Sequence, residues 1–200
     1  MKKFDRLPPE QRRQEIQTAA LALFREKGFA ATTMENIVER VSLSKGGVYR
    51  FYPSTTAILG DLMLGGMRLR NAYYEQCVRR RQAEGEALTL PMLVEMIADS
   101  LLLYPEISEV YVEILWEKRR RPELETLYQQ ICAATVQETT ALIHRCGADS
   151  LLLTASPDRL ERLTELMNAA VLSMHVLGLA EPFAKQKQQL CGIITQLLKD

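Results

Sequence analysis

The segment from Thr33 to Tyr52, TMENIVERVSLSKGGVYRFY, gathers the side chains of this 200-residue sequence whose types and spacing could do recognition chemistry. Reading a DNA duplex takes a short helix narrow enough for the major groove, with phosphate anchors at its ends. Ser44 and Lys45 open such a helix, and Tyr49 and Arg50 follow a turn later with a hydroxyl and a cation that can reach a phosphate or a base edge. Gly46 and Gly47 are poor helix formers, each costing roughly 1 kcal/mol relative to Ala in a helix interior, so something must favour them. Close approach of backbone to DNA is the functional reason. Val48 and Tyr52 read as core, Tyr49 as either a phosphate contact or a packing residue, and Lys45 and Arg50 as contacts or as solvated cations.

Catalysis finds less to work with. His144 and His175 are the two imidazoles, and neither has a local catalytic partner. No phosphate-cradling glycine loop, H-E-x-x-H or G-x-S-x-G turn occurs. Cys77, Cys132, Cys146 and Cys191 are scattered without C-x-x-C or zinc spacing, which reads as free buried thiols, with no metal and no cofactor expected. A helical-bundle enzyme is therefore the competing class and not the favoured one. A ligand-independent architectural DNA-binding protein is the third.

The elements that must position these residues are helices. Apolar residues recur at three and four along the chain, strict alternation over a strand length is hard to find, and the reading is all-α. Pro8-Pro9 starts a first helix over about 9–27, with Ile16, Ala19, Ala20, Leu23 and Phe24 on one face and Gly28 placed for its C-cap. Thr32 or Thr33 caps the next, with Glu35 three after Thr32 as in a capping box, and Ser44 caps a third that Pro53 stops. Two short helices joined so tightly spell helix-turn-helix. Residues 1–53 form the DNA-binding domain in this reading, and 54–200 a ligand-binding and dimerisation domain of five or six helices, entered along a shared helix that begins at Ser54. Breaks are expected near 83–87, Tyr104-Pro105, Arg121-Pro122, 147–157 and Glu181-Pro182.

Charge supports the division. Lys plus Arg and Asp plus Glu both total 25, yet residues 1–55 carry +4 and the remainder −4, so a neutral sum hides a basic front end. The start of the chain lacks the apolar run of a signal peptide, and the longest uncharged apolar stretch, 169–180, is about half a membrane span, so a cytoplasmic setting without membrane is expected.

The first 60 or so residues resemble the DNA-binding domain of the tetracycline-repressor (TetR) family. The family pattern is F-x-x-x-G-F/Y, then T-T/V-x-x-I-A, then V-S-x-G-x-L/V-Y-x-H-F-x-x-K. This chain supplies Phe24, Gly28 and Phe29, then Thr32, Thr33 and Ile37, then Leu43, Ser44, Gly46, Val48, Tyr49, Phe51 and Tyr52. The resemblance implies phosphate contacts from Thr33, Ser44 and Tyr49, and base or phosphate contacts from Lys45, Gly46 and Arg50. It also implies operator DNA and a second copy of the chain as partners, and release by a small-molecule effector. The chain departs from the pattern at Phe51 (usually His), at Ser42 (usually a turn Gly) and at Thr55 (usually a phosphate-clamping Lys). Arg50, or the arm bearing Lys2, Lys3 and Arg6, is then left to supply the missing charge.

The second region carries its own pattern. Leu160, Leu163, Met167, Ala170, Met174 and Leu177 follow a heptad rhythm, and Leu166, Val171 and Leu172 add a second apolar face. With Leu190, Ile193, Ile194, Leu197 and Leu198 behind it, a two-helix hairpin would leave a face needing a partner, which fits a symmetric four-helix bundle between two chains. The intervening helices, which in the resembling family enclose a ligand pocket, hold the candidate lining residues Tyr73, Met96, Tyr111 and Trp116, with Met167 and His175 beyond them; Tyr74, Met92 and Tyr104 belong to the same pool. Glu113 and Glu117 lie one turn apart beside Trp116. Facing inward they would make a cationic-ligand site; facing outward they would pair with Arg120 and Arg121.

Overall fold

The computed structural model describes residues 8–101, 105–179, 181 and 185–199, and the described residues hold helices and turns with no strand. Helix α1 spans Pro9–Lys27, with proline in its first turn and Gly28 at its end in the left-handed region, φ 85°. Helix α2 spans Met34–Arg40 and α3 spans Lys45–Phe51. Helix α4, Thr55–Ala83, runs 29 residues from its Ser54 cap. Then come α5 (Leu90–Ser100), α6 (Pro105–Glu117), α7 (Pro122–Arg145), a 3-10 turn at Asp149–Leu153, α8 (Pro157–Val176) and α9 (Lys187–Lys199). Each expected break at 83–87, Arg121-Pro122 and 147–157 is a gap between elements. Tyr104, Pro182 and the Lys2, Lys3 and Arg6 arm lie outside the described residues.

The capping box sits one residue later than the sequence suggests. Thr33, not Thr32, caps α2, and its partner is Asn36. The reason is packing: Thr32 is buried, and its hydroxyl donates to the Gly28 carbonyl at 2.8 Å, locking the α1–α2 turn instead.

One apolar core runs across the boundary drawn at residue 53. It joins Ile16, Phe24, Ile37 and Val48 of the first three helices to Ile58, Leu59 and Leu62 of α4, to Val110 and Ile114 of α6, and to Leu124 and Leu127 of α7. A second core gathers α4, α5, α7, α8 and α9 around Tyr74, Leu93, Leu142, Leu160 and Ile194. The three-helix head thus has no core wholly its own, and its orientation is set by the helices beneath it.

Candidate nucleic-acid interface and cavity

Ser44 accepts the N–H of Gly47 at 3.2 Å and fixes the start of α3. Val48 is fully buried, and Tyr52, at the far end, is nearly so. The Tyr52 hydroxyl donates to Asp61 of α4 at 2.5 Å and accepts from Gln17 of α1 at 2.8 Å. Burial, and after it the Asp61 hydrogen bond, holds the phenol above its ordinary pKa, so the proton stays in place and the clamp holds. Two ends pinned in this way leave the opposite face of α3 free.

That face carries Lys45, Gly46, Tyr49 and Arg50, all exposed. Lys45 pairs with Glu35 of α2 at 2.8 Å and lies 5.7 Å from the Tyr49 ring centroid. Arg50 lies over Phe51 at 5.3 Å and has no carboxylate partner among the described residues. Gly46 is informative by what it does not touch: a Cβ added there would meet nothing within 4 Å, so no internal packing explains a glycine in the helix. Gly47 differs, because its added Cβ would lie 3.2 Å from Leu43. Thr33 is exposed at the start of α2, with its hydroxyl tied to Asn36. Thr55, in place of the expected lysine, opens α4 behind the Ser54 cap, whose hydroxyl accepts the Ala57 N–H.

The head rests on α6 through two carboxylates. Glu113 accepts the N–H of Phe29 at 2.6 Å, and Glu109 pairs with Arg25 of α1 at 2.7 Å. A Cβ at Gly28 would stand 3.3 Å from the Glu113 carboxylate, so the turn can approach only as glycine. Glu117 turns outward to Arg120 and Arg121 at 3.7 and 3.9 Å. Glu117 thus makes the outward pairing that the sequence allows, Glu113 holds the head, and neither acid lines the cavity behind them.

Behind this contact lies a cavity of about 170 Å³, walled by α4, α5, α6, α7 and α8. Tyr111 and Met167 line it, as the sequence suggests, while Tyr73, Met96, Glu113, Trp116 and His175 do not. Tyr73 and Met96 pack in the second core, and their neighbours Tyr74 and Ile97 take the cavity positions, because one residue turns a helix by about 100°. Trp116 is 60% exposed on the outer face of α6. His175 sits half-buried in the last turn of α8. Tyr111 donates to Asn168 at 3.0 Å and Asn168 to the Tyr128 hydroxyl at 3.2 Å; burial pushes the Tyr111 phenol far up and Tyr128 to about 12. Sequence reasoning passed over Arg70, the one charged side chain among the described residues that line the cavity, since a single arginine in a long helix looks like any solvated one.

The residues expected at the dimer face divide. Leu163, Ala170, Met174 and Ile194 are buried inside the chain, Met167 faces the cavity, and Leu197 is half-buried. The heptad stripe is spent on the chain's own core because α6, α7 and α9 all pack against α8. What stays outside is Leu177, 66% exposed, with Val176 and Ile193, each 54% exposed. The four cysteines are free and half-buried, and the basic runs near residues 79–81 and 118–121 pair with nearby acids at helix ends.

The described residues form a helix-turn-helix head set on a helical bundle with an internal cavity. Residues 16–62 match the family described as bacterial regulatory proteins, tetR family. The chain is 38% identical over 58 residues to the uncharacterized HTH-type transcriptional regulator YfiR of Bacillus subtilis (strain 168), a match covering 29% of this chain and 28% of that protein. Its fold is that of Salmonella enterica GusR, at TM-score 0.69 and 20% identity, over 96% of this chain and 97% of the other. Thermus thermophilus FadR, a TetR-family repressor solved in complex with lauroyl-CoA, shares the fold at TM-score 0.58 and 21% identity, over 89% of this chain and 92% of that one. No helix among the described residues is long and apolar enough to cross a membrane.

Proposed function

We propose that the chain is a cytoplasmic, ligand-responsive repressor that binds a palindromic operator as a homodimer through residues 32–52. The observation that carries this reading is that α4 and α6 each touch both working parts. Met63, Gly66 and Arg70 of α4 and Ile107 and Tyr111 of α6 wall the cavity, while Asp61 of α4 and Glu109 and Glu113 of α6 hold the head. A ligand that displaces either helix must tilt the head. Two recognition helices have to sit about 34 Å apart to enter successive major grooves, so a small tilt beneath each head is enough to spoil the fit. The exposed Val176, Leu177 and Ile193 support a second copy as the partner that covers the α8–α9 face. The cavity weighs against a ligand-independent architectural role, and the lauroyl-CoA complex of FadR supports a ligand in a bundle of this fold.

The test is binding of the purified protein to the duplex upstream of its own gene against random duplex, over a range of salt. Specific binding that weakens steeply with salt is expected, and replacing Lys45 or Arg50 by Ala should lower the slope by roughly one unit if the cation meets a phosphate. Equal affinity for both duplexes would overturn the reading.

A further inference from the structure

The cavity is apolar over most of its wall, with Met63, Met67, Ile97, Leu101, Ile107 and Val171 among its lining, and it contains no carboxylate. Into this wall α4 sends Arg70, whose Nε is buried with no hydrogen-bond partner. Among the described residues the guanidinium makes no ion pair, and it lies 5.9 Å from the centroid of the Tyr74 ring. The contrast with the rest of the molecule is informative. Arg68, two residues earlier, reaches Asp61 at 3.6 Å, while Glu75 of α4 is taken by Arg145 at 2.7 Å and Asp99 of α5 by Lys187 at 2.6 Å.

An arginine cannot shed its charge, and burying an unpaired donor on it is costly. Of the polar groups that line the cavity, Tyr111 donates to Asn168, and Asn168 in turn to Tyr128 outside it, and the hydroxyls of Ser100, Thr135 and Thr164 donate to carbonyls of their own helices. A ligand carboxylate would relieve that cost, through the paired N–H···O bonds that a guanidinium edge offers. A cation would be repelled, and Glu113 and Glu117 are not there to receive it. Size narrows the body of the ligand. An apolar cavity of about 150 Å³ holds a benzene ring, and this one is about 170 Å³.

We propose that the cavity binds a small organic anion, a body of about one ring or a short chain bearing a single carboxylate, with Arg70 as the head-group anchor. The proposal deepens the effector reading above and rests on the same cavity.

Titration calorimetry of the full-length protein with phenylacetate, phenylacetamide and phenethylamine separates charge from shape. Phenylacetate should bind at least tenfold more tightly than the amide, and the amine most weakly. Arg70→Gln should abolish the advantage of the anion while leaving the amide's affinity unchanged, and Arg70→Lys should keep part of it. Without ligand, Arg70→Gln should melt at or above the wild-type temperature, because it removes a cation whose Nε is buried without a partner. Equal affinity for all three compounds, tighter binding of the amine, no binding of phenylacetate at millimolar concentration, or a ligand-free Arg70→Gln that melts lower would each overturn the proposal. Anion binding that leaves operator affinity unchanged would count against the effector reading and leave the site standing. A wild-type protein that shows no anion preference while binding operator normally would remove the site alone.

Discussion

The head and the bundle solve different problems with the same kind of helix. In the head the working face is local: Ser44, Lys45, Gly46, Tyr49 and Arg50 lie within seven consecutive residues, positioned by a cap at one end and a phenol clamp at the other. In the bundle the working surface is a cavity assembled from five helices, and its one charged residue stands alone in sequence. Local chemistry leaves a motif behind, and assembled chemistry leaves a volume. The two regions are nevertheless not independent, because the core that holds α3 in place continues into α6 and α7.

The largest effect should separate two neighbouring isoleucines of α9. Ile194 is fully buried in the chain's own core and Ile193 is 54% exposed. Ile194→Asp buries an unpaired carboxylate at a cost of several kcal/mol and should leave no folded protein by circular dichroism. Ile193→Asp, or Val176→Asp, should keep its helicity, sediment as a monomer and lose operator binding. A helical Ile193→Asp that remains dimeric would show that this face is not the interface.

A middle-sized effect should appear at the contact between the regions. Glu113→Gln keeps an acceptor for the Phe29 N–H but removes its charge, a loss of about 1 kcal/mol. Hydrogen exchange at Phe29 should quicken several-fold while amides of α8 keep their protection. Unchanged exchange at Phe29 would mean that the carboxylate does not hold the head.

The smallest effect lies within the head itself. Hydrogen bonds from Ser42, ahead of the bond from Arg12, hold the Glu15 carboxyl below its ordinary value of 4.5 against a small opposing effect of burial. A carboxyl lowered in the folded state stabilises fully above the unfolded pKa and loses that contribution as pH falls through the folded one. Solvent screening limits it to about 0.5 kcal/mol. The gap in melting temperature between wild type and Glu15→Gln should therefore narrow as pH drops from about 6 to about 3. A gap that widens on acidification would contradict the assignment.

How far each region was legible in sequence follows from the same contrast. Pro8-Pro9, Gly28, Ser44 and Pro53 each mark an element boundary by a local backbone rule, and the helices begin and end beside them. The sequence leaves the cap of α2 open between Thr32 and Thr33 and sets the capping box one residue early, because the two threonines are chemically equal and only the burial of Thr32 against Gly28 distinguishes them. In the bundle, periodicity identifies apolar faces but not their partners. Leu163, Met174 and Ile194 have the spacing of an interface, yet the chain's own helices cover them. Tyr73 and Tyr74 differ by one step around α4, which no composition rule resolves. Arg70 gives no sequence signal, since its meaning lies in the carboxylates that are absent around it.

The central claim is that cavity and head are coupled through α4 and α6, and the direct test is reciprocal: the affinity for phenylacetate measured by calorimetry with the protein free and with it saturated by operator duplex. Coupling by binding free energy must be equal in both directions. The account predicts that operator weakens phenylacetate binding by about 5- to 150-fold, the range that about 1 to 3 kcal/mol of coupling gives, and that phenylacetate weakens operator binding by the same factor. Phenylacetate bound equally well with and without operator would contradict it.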